Sequence, residues 1–527
     1  MSTAAVDRCD LRGASTFAPP LVLAGLTTFL FVRLLPGVSG KPLHEDEAVA
    51  GLISARPLGD VLHTVVFDRG GAPLHFVLAH LALSIDDTPD ALRWLSVVFA
   101  LATVPLCYDL ARRLAGRLAG LTAAALAATS QLLAVYGTFG RMYSLFACAG
   151  ALAADLFVRA LDRPDRRTAL AAAAAALMLL AVHPFGVFPF AAGVAVALCL
   201  WRGRDVRAAL PVVAVGLLAI PLLLADLRLS DRYAPEAGLK VDSGTSVADA
   251  TWRALGGAAG GSGVVLGVFA ALAGLGLFSL VRRRPAKAAF TCLALVAPPA
   301  VLAIARAMGS VSDRLGPRHL IFMLPLWIAL VAAGVARLAQ SLPPRARLAP
   351  VVAVAAVALV APTAIAEPRT IATGDANAVA APAAWLGRHV ERGDVLYPYS
   401  PVFLAALPNA AHGRGYSREP VALARAARRT HEVPAVLVSL PLHRPLGGHA
   451  LVRLRRARVD AHAFASWLIL EARGPFTDGR DALGAAASLL GRASPVLARS
   501  APMTDAFLQQ LYGTACDALT RLHTRCD

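Results

Sequence analysis

Four consecutive residues, His44-Glu45-Asp46-Glu47, set three carboxylates and an imidazole side by side. Such crowding raises the pKa of at least one carboxylate unless a cation offsets the charge. A carboxylate partly shielded from water suits a general base, and it also suits a divalent cation. The same acids would favour the dipole of a helix starting near Asp46. The residues by themselves leave both readings open. Further along, Phe139-Gly140-Arg141-Met142-Tyr143, His183-Pro184-Phe185-Gly186, Ser312-Asp313-Arg314 and Pro317-Arg318-His319 put Arg, His and Tyr near the ends of apolar runs. Arg and His so placed can hold an anionic group such as a lipid phosphate, or they can simply snorkel to the headgroup level. Taken with the acid cluster, they point to one shared cavity on a single face.

The elements that must position these residues are membrane spans. The chain has 527 residues, of which 57% are hydrophobic and only 16% charged, with a mean hydropathy of +0.60. A soluble domain is about 45–50% apolar and about 25% charged. The composition therefore excludes an ordinary soluble enzyme, a disordered tail protein and a disulfide-stapled secreted module. A spanning helix needs about 20 mostly apolar residues. Such runs lie near 17–38, 92–110, 118–136, 144–161, 168–188, 188–201, 208–225, 259–281, 288–306, 319–337 and 349–366. The first run exceeds the usual core of a cleaved signal peptide, so it reads as an anchor.

The net charge of +17 is almost entirely Arg, and its placement decides its meaning. Arg112, Arg113 and Arg117, then Arg163, Arg166 and Arg167, then Arg202, Arg204 and Arg207, then Arg282, Arg283, Arg284 and Lys287, then Arg337, Arg345 and Arg347 cluster after alternate runs. The positive-inside rule puts these clusters in the cytoplasm. Eleven spans with a cytoplasmic N-terminus leave the C-terminal segment outside, in a multi-pass plasma-membrane protein. The charge thus reports orientation, and no nucleic-acid partner is expected. Pro73–Ile85 is apolar but short, and a crossing there would flip every later Arg cluster. It reads as a juxtamembrane helix within an outer loop of about 39–91.

The fold class is mainly α: a polytopic helix bundle over 1–366 with a small extracytoplasmic α/β domain over 367–527. In the latter, helices at Ala383–Glu391, Pro420–Arg429 and near Asp481–Leu490 alternate with strands at Val395–Tyr399, Ala435–Leu440 and Phe464–Leu470. The run Arg453–Arg458 reads as a solvated face. Cys516 and Cys526 are either a disulfide, in an oxidising compartment, or two free thiols; Cys107, Cys148, Cys199 and Cys292 fall in spans without metal-type spacing.

In order, these pieces resemble the GT-C class of polytopic glycosyltransferases, in the protein O-mannosyltransferase-like branch that includes the lipid A aminoarabinose transferases. Asp46-Glu47 resembles the acidic pair of the first outer loop. Ala72-Pro73-Leu74-His75-Phe76 resembles the opening of the short apolar helix. Arg93, Arg141–Leu145, His183–Gly186, Arg318-His319-Leu320 with Leu324-Pro325, and Trp385–Tyr397 follow in the family's order. The chain departs from the pattern at Phe139, where members often carry an acid, at Gly71-Ala72, where His-Pro is usual, and at His319, where Tyr is usual.

The resemblance implies transfer of a sugar from a polyprenyl-phosphate donor to an acceptor hydroxyl of a glycan, lipid or protein, on the outer face and with inversion. Asp46 would be the general base. Arg141, Tyr143, Arg318 and His319 would hold the donor phosphate. Glu47 and His44 would orient Asp46 or hold a cation, with Glu45, His75 and His183 in support. No cofactor is certain, and a divalent cation at Asp46, Glu47 and His44 is an option. The segment Asp226–Gly257, with Tyr233 and Trp252, is a candidate acceptor surface. Competing readings are a transporter or lipid flippase, which predicts acids near the midplane of spans, and an inactive relative serving as a cell-envelope interaction protein.

Overall fold

The computed structural model describes residues 18–39, 45–69, 72–86, 88, 90–163, 165–201, 217–218, 220–221, 224, 246–307, 316–360, 377–391, 393–398, 430–442, 444–465 and 467–526. Its helices begin with α1 (Ala18–Leu34), α2 (Glu45–Ser54), α3 (Leu58–His63) and α4 (Leu74–Ile85). Then come α5 (Asp90–Ala115), α6 (Arg117–Thr129), α7 (Gln131–Tyr136), α8 (Tyr143–Asp162), α9 (Arg166–Val182) and α10 (Val187–Trp201). The bundle continues with α11 (Val247–Ala258), α12 (Gly263–Arg283), α13 (Pro285–Ala307), α14 (Leu324–Ala339) and α15 (Ala349–Val360). Helix is found at ten of the eleven expected apolar runs, and 208–225 lies largely outside the described residues.

Among the described residues, six stretches are long and apolar enough to cross a membrane: Pro19–Gly37, Asp90–Ala115, Tyr143–Asp162, Gly263–Arg283, Pro285–Ile304 and Pro317–Ala339. Two of the other expected runs, 118–136 and 168–188, form shorter helices for local reasons. The run 118–136 breaks at Ser130, whose hydroxyl accepts the Leu133 N–H as a helix cap while donating to the Gly257 carbonyl. Ending α6 there orphans carbonyls inside the bundle. Arg33 of α1 reaches across to donate to those of Thr129 and Ser130, at 2.8 and 3.2 Å. The run 168–188 ends at Val182 because Pro184 disfavours helix at His183, and a 3₁₀ turn over Pro184–Gly186 follows.

Helix α14 is the axis of the packing. Every residue from Leu324 to Ala336 is buried, as befits a helix that is apolar all round. It packs against α5, α6, α8 and α12. Its approach to α12 depends on glycine. A Cβ on Gly334 would collide with the Leu272 carbonyl, and one on Gly276 with the Leu330 carbonyl. Two backbones in contact substitute for the hydrophobic driving force that lipid removes.

A second hydrophobic core belongs to the C-terminal residues and includes Val436, Leu470, Leu490 and Leu519. The elements are α16 (Asn377–His389), β1 (Val395–Pro398), β2 (Val433–Pro441), α17 (Gly448–Arg456), β3 (Asp460–Ala463), β4 (Trp467–Phe476), α18 (Gly479–Ser500) and α19 (Pro502–Arg521). The sheet order is β1-β2-β4-β3, with β1 parallel to β2 and the other pairs antiparallel. The α18 helix covers β2 and β4, and α19 packs on α18. Expected elements at 383–391, 395–399, 435–440 and 481–490 are present with shifted ends; Pro420–Arg429 lies outside the described residues. The expected strand at 464–470 is instead part of a hairpin, β3 and β4, and α19 is an added helix. A disulfide joins Cys516 to Cys526. The Arg453–Arg456 part of the basic run is helical, with Leu454 inward and the three Arg exposed.

Gly276→Val and Gly334→Val should each lower stability by roughly 1–3 kcal/mol through overpacking. Gly274→Ala, on the same helix, meets nothing within 4 Å and should leave the protein as stable or slightly more so. Thermal unfolding of the detergent-solubilised protein checks both.

Candidate active site

Glu47 lies 2% exposed in the first turn of α2. Both its oxygens are engaged. The guanidinium of Arg93, 3% exposed at the start of α5, donates through Nε to Oε1 and through Nη2 to Oε2, each at 3.0 Å. The Gly140 N–H donates to Oε1 at 2.7 Å, and Arg93 Nη1 donates to the Val38 carbonyl at 3.1 Å. A side chain at residue 140 would meet Leu92 at 2.9 Å and Glu47 Oε1 at 3.1 Å, so glycine lets the amide reach the carboxylate. Ser96 Oγ donates to the Phe139 carbonyl at 2.7 Å. One buried pair thereby fastens α2, the end of the first span, the start of α5 and the 139–143 turn to one another.

With Glu47 fixed, the neighbouring Asp46 presents a half-exposed carboxylate. Its Oδ2 lies 3.7 Å from Arg318 Nη1. Arg318 sits over the ring of Tyr143, with 5.8 Å from Cζ to the centroid. Tyr143 is 3% exposed. It stacks on Phe139 at 5.9 Å, and Tyr136 and His319 meet its edges or face at 5.2 and 6.2 Å. His319 lies 6.0 Å from His183, whose ring stacks on Phe146 at 4.8 Å. The Nδ1 atoms of both histidines accept backbone N–H groups, from Gly316 and Phe185. Each neutral ring then carries its proton on Nε2.

Arg141 completes the group from the 139–143 turn, over the Phe76 ring at 5.8 Å. Its Nε and Nη1 are buried with no hydrogen-bond partner among the described residues, and so is Nε2 of His75 on α4. Burial, with Arg141 beside it, pushes the His75 imidazole down to about 3, so it is neutral at physiological pH. Buried donors that lack partners are costly, and an anion would satisfy the guanidinium.

The structure therefore brings together Asp46, Glu47, His75, Arg141, Tyr143, His183, Arg318 and His319 of the sequence candidates. His44 lies outside the described residues, and so does the side chain of Glu45. Of 226–257, residues 246–257 are described; α11 exposes Trp252 and caps its start with Ser246. The anchoring roles of Gly140, Ser96 and the Val38 carbonyl were missed from sequence. A buried acid in a bilayer protein needs a buried base, but Arg93 lies 46 residues from Glu47 and no local pattern pairs the two.

At the far end of α5 and α8 lies a separate set of charges. Asp155, fully buried, is held by Arg113 at 2.9 Å and Arg159 at 2.6 Å. Asp109 pairs with Arg112 at 2.9 Å, and Lys287 reaches Asp162 at 2.6 Å. These acids, the ones a transporter would need within its spans, are committed to arginine or lysine at one end of the bundle.

Residues 70–227 match the family model described as dolichyl-phosphate-mannose-protein mannosyltransferase. No curated protein matches the chain by sequence. The crystal structure of ArnT from Cupriavidus metallidurans in the apo state superposes with a TM-score of 0.55 at 14% identity, covering 86% of this chain and 98% of that one. ArnT from the same organism bound to undecaprenyl phosphate superposes with a TM-score of 0.56, also at 14% identity, covering 87% and 98%. This is the GT-C glycosyltransferase fold. The family match covers less than a third of the chain, and the superpositions show a shared fold.

Removing one partner of a buried ion pair costs about 3–5 kcal/mol, whereas replacing both by apolar residues costs much less. Glu47→Gln and Arg93→Met should each destabilise the protein by that amount. The double variant Glu47→Leu/Arg93→Met should be more stable than either single one, as read by thermal unfolding.

Proposed function

We propose that this chain transfers a sugar from a polyprenyl-phosphate donor to an acceptor hydroxyl at the extracytoplasmic membrane surface, with inversion. Asp46 is the general base. The proton of the acceptor O–H passes to the Asp46 carboxylate while that oxygen bonds to the anomeric carbon. The bond from that carbon to the phosphate oxygen breaks, and its electron pair leaves with the polyprenyl phosphate. A phosphate leaving group is already a stable anion, so cations near its oxygens do the remaining work. Arg141 and Arg318 supply them, with the Tyr143 hydroxyl and His319 beside them, and His75 and His183 shape the wall. Glu47 is a positioning residue: it holds the backbone that carries Asp46.

The observation that carries this reading is Arg141. Two buried nitrogens of its guanidinium lack partners in the same cluster as the Asp46–Arg318 pair. An anion-binding cation beside a half-exposed carboxylate, at the end of membrane helices, fits a lipid-phosphate donor and a base for the acceptor. Phe139, packed between Tyr136 and Tyr143, puts an aromatic ring where relatives carry an acid. This favours a mechanism with one acid and no metal bridged through that position.

For topology, we infer a cytoplasmic N-terminus and an extracytoplasmic C-terminal unit. The Arg bands support this, as does the Cys516–Cys526 disulfide, since such bonds persist in oxidising compartments.

Asp46→Asn, purified in lipid nanodiscs, should lose at least about a hundredfold in transfer from polyprenyl-phosphate-linked sugars, with unfolding midpoint unchanged. Arg141→Ala should weaken binding of the polyprenyl phosphate itself. Full activity in Asp46→Asn, or no transfer by the wild type from any lipid-linked sugar, would sink the proposal. In intact cells, Asp86→Cys should react with an impermeant thiol reagent and Arg283→Cys only after permeabilisation; the reverse pattern would invert the topology.

A further inference from the structure

The C-terminal unit carries a cluster that the transfer reaction does not use. Asp460 and His462 are two residues apart on β3, so their side chains share one face of the sheet. Asp460 is the direct cross-strand partner of Glu471 on β4, which brings the third side chain to that face. Two acids placed directly opposite each other repel. Here His462 Nε2 lies between them, 3.2 Å from Glu471 Oε2 and 3.6 Å from Asp460 Oδ1. All three donor atoms fall within 4.8 Å of one another.

The two distances from His462 match the spacing of ligands around a common ion. Donors bound at about 2.0–2.2 Å in a tetrahedral shell are about 3.3–3.6 Å apart. The surrounding contacts hold the donors in place. Trp385 of α16 lies against the His462 ring, centroids 4.3 Å apart, and it also stacks on His389 at 4.2 Å and meets the Phe464 ring edge-on at 6.4 Å. Arg473 binds Glu471 mainly through Oε1, at 3.0 Å, with a longer reach of 3.5 Å to Oε2. Glu471 is nearly buried, His462 partly exposed and Asp460 open to solvent. An ion would therefore have three protein ligands and a side facing water.

We propose that Asp460, His462 and Glu471 form a binding site for a divalent first-row cation of the zinc or manganese class. One imidazole with two carboxylates is the donor set such borderline ions accept. The ion would offset the Asp460–Glu471 repulsion and pin β3 to β4 beside α16, and water would take its open position. The site lies apart from Asp46 and Arg141 and is independent of the transfer reading.

The test uses the full-length protein in nanodiscs, free of any affinity tag and stripped with chelator. It is then equilibrated with Zn²⁺ or Mn²⁺ and passed through gel filtration, and retained metal is measured by mass spectrometry. Wild type and Asp46→Asn should retain the ion. His462→Asn and Asp460→Asn should each weaken binding at least about tenfold and lose it on the column. The ion should raise the wild-type unfolding midpoint and leave those of the two variants unmoved. Asp460 is exposed, so its variant folds even if His462→Asn does not. No retained ion in the wild type, or equal retention in wild type and Asp460→Asn, overturns the proposal and leaves an ion pair only.

Discussion

The bidentate bond between Glu47 and Arg93 is the interaction on which the rest of the molecule depends. Neither residue touches solvent appreciably. Each is costly to bury alone, and together they compensate only because their remaining hydrogen-bonding capacity goes to Gly140 and Val38. The pair therefore behaves as a clamp with one permitted geometry. Four chain segments distant in sequence meet at it. Asp46 and Arg141 are each adjacent to a clamped residue, so the clamp fixes the spacing between the carboxylate and the Arg141 guanidinium. Acid and cation in this site are positioned by neighbours rather than by each other.

A second set of ion pairs closes the opposite end of the same helices. From Arg93 to Arg113 is twenty residues of α5, about 30 Å along its axis. That is the thickness of the hydrocarbon core of a bilayer. Between the two polar ends, the helices offer Ala, Leu and Gly, and backbones touch at Gly276 and Gly334. The bundle is thus held by charge at both ends and by close packing in the middle. This distribution suits a solvent in which the hydrophobic effect does not bring helices together.

Much of this was legible in the sequence. Hydropathy located the helices because lipid enforces apolar runs, and the Arg bands located one end of the bundle because Asp109, Asp155 and Asp162 sit among them. The candidate residues were found as short motifs, and eight of them converge. Helix ends were less legible. The break at Ser130 needs Arg33 from another helix to satisfy its carbonyls, and no local pattern announces a partner almost a hundred residues away. The role of Glu47 was obscured for a related reason. Within the four-residue acid cluster, nothing local separates the carboxylate that points into protein from the one that points out. Only the tertiary position of Arg93 makes the distinction. In the C-terminal unit, β3 was missed because a four-residue strand of Asp-Ala-His-Ala has almost no β propensity and forms by pairing with β4.

The order of the sheet has a further consequence. Among the described residues it ends in two strands of four residues, β1 and β3, while the long strands β2 and β4 lie inside. Short edges expose few unpaired backbone groups, and the proline that closes β1 has no N–H to offer. A membrane confines many copies of a protein to two dimensions, where neighbours collide repeatedly in one orientation. A sheet with long bare margins would zip to its neighbour under that confinement. Among the described residues the margins of this sheet are brief and offer a neighbouring copy little backbone to pair with.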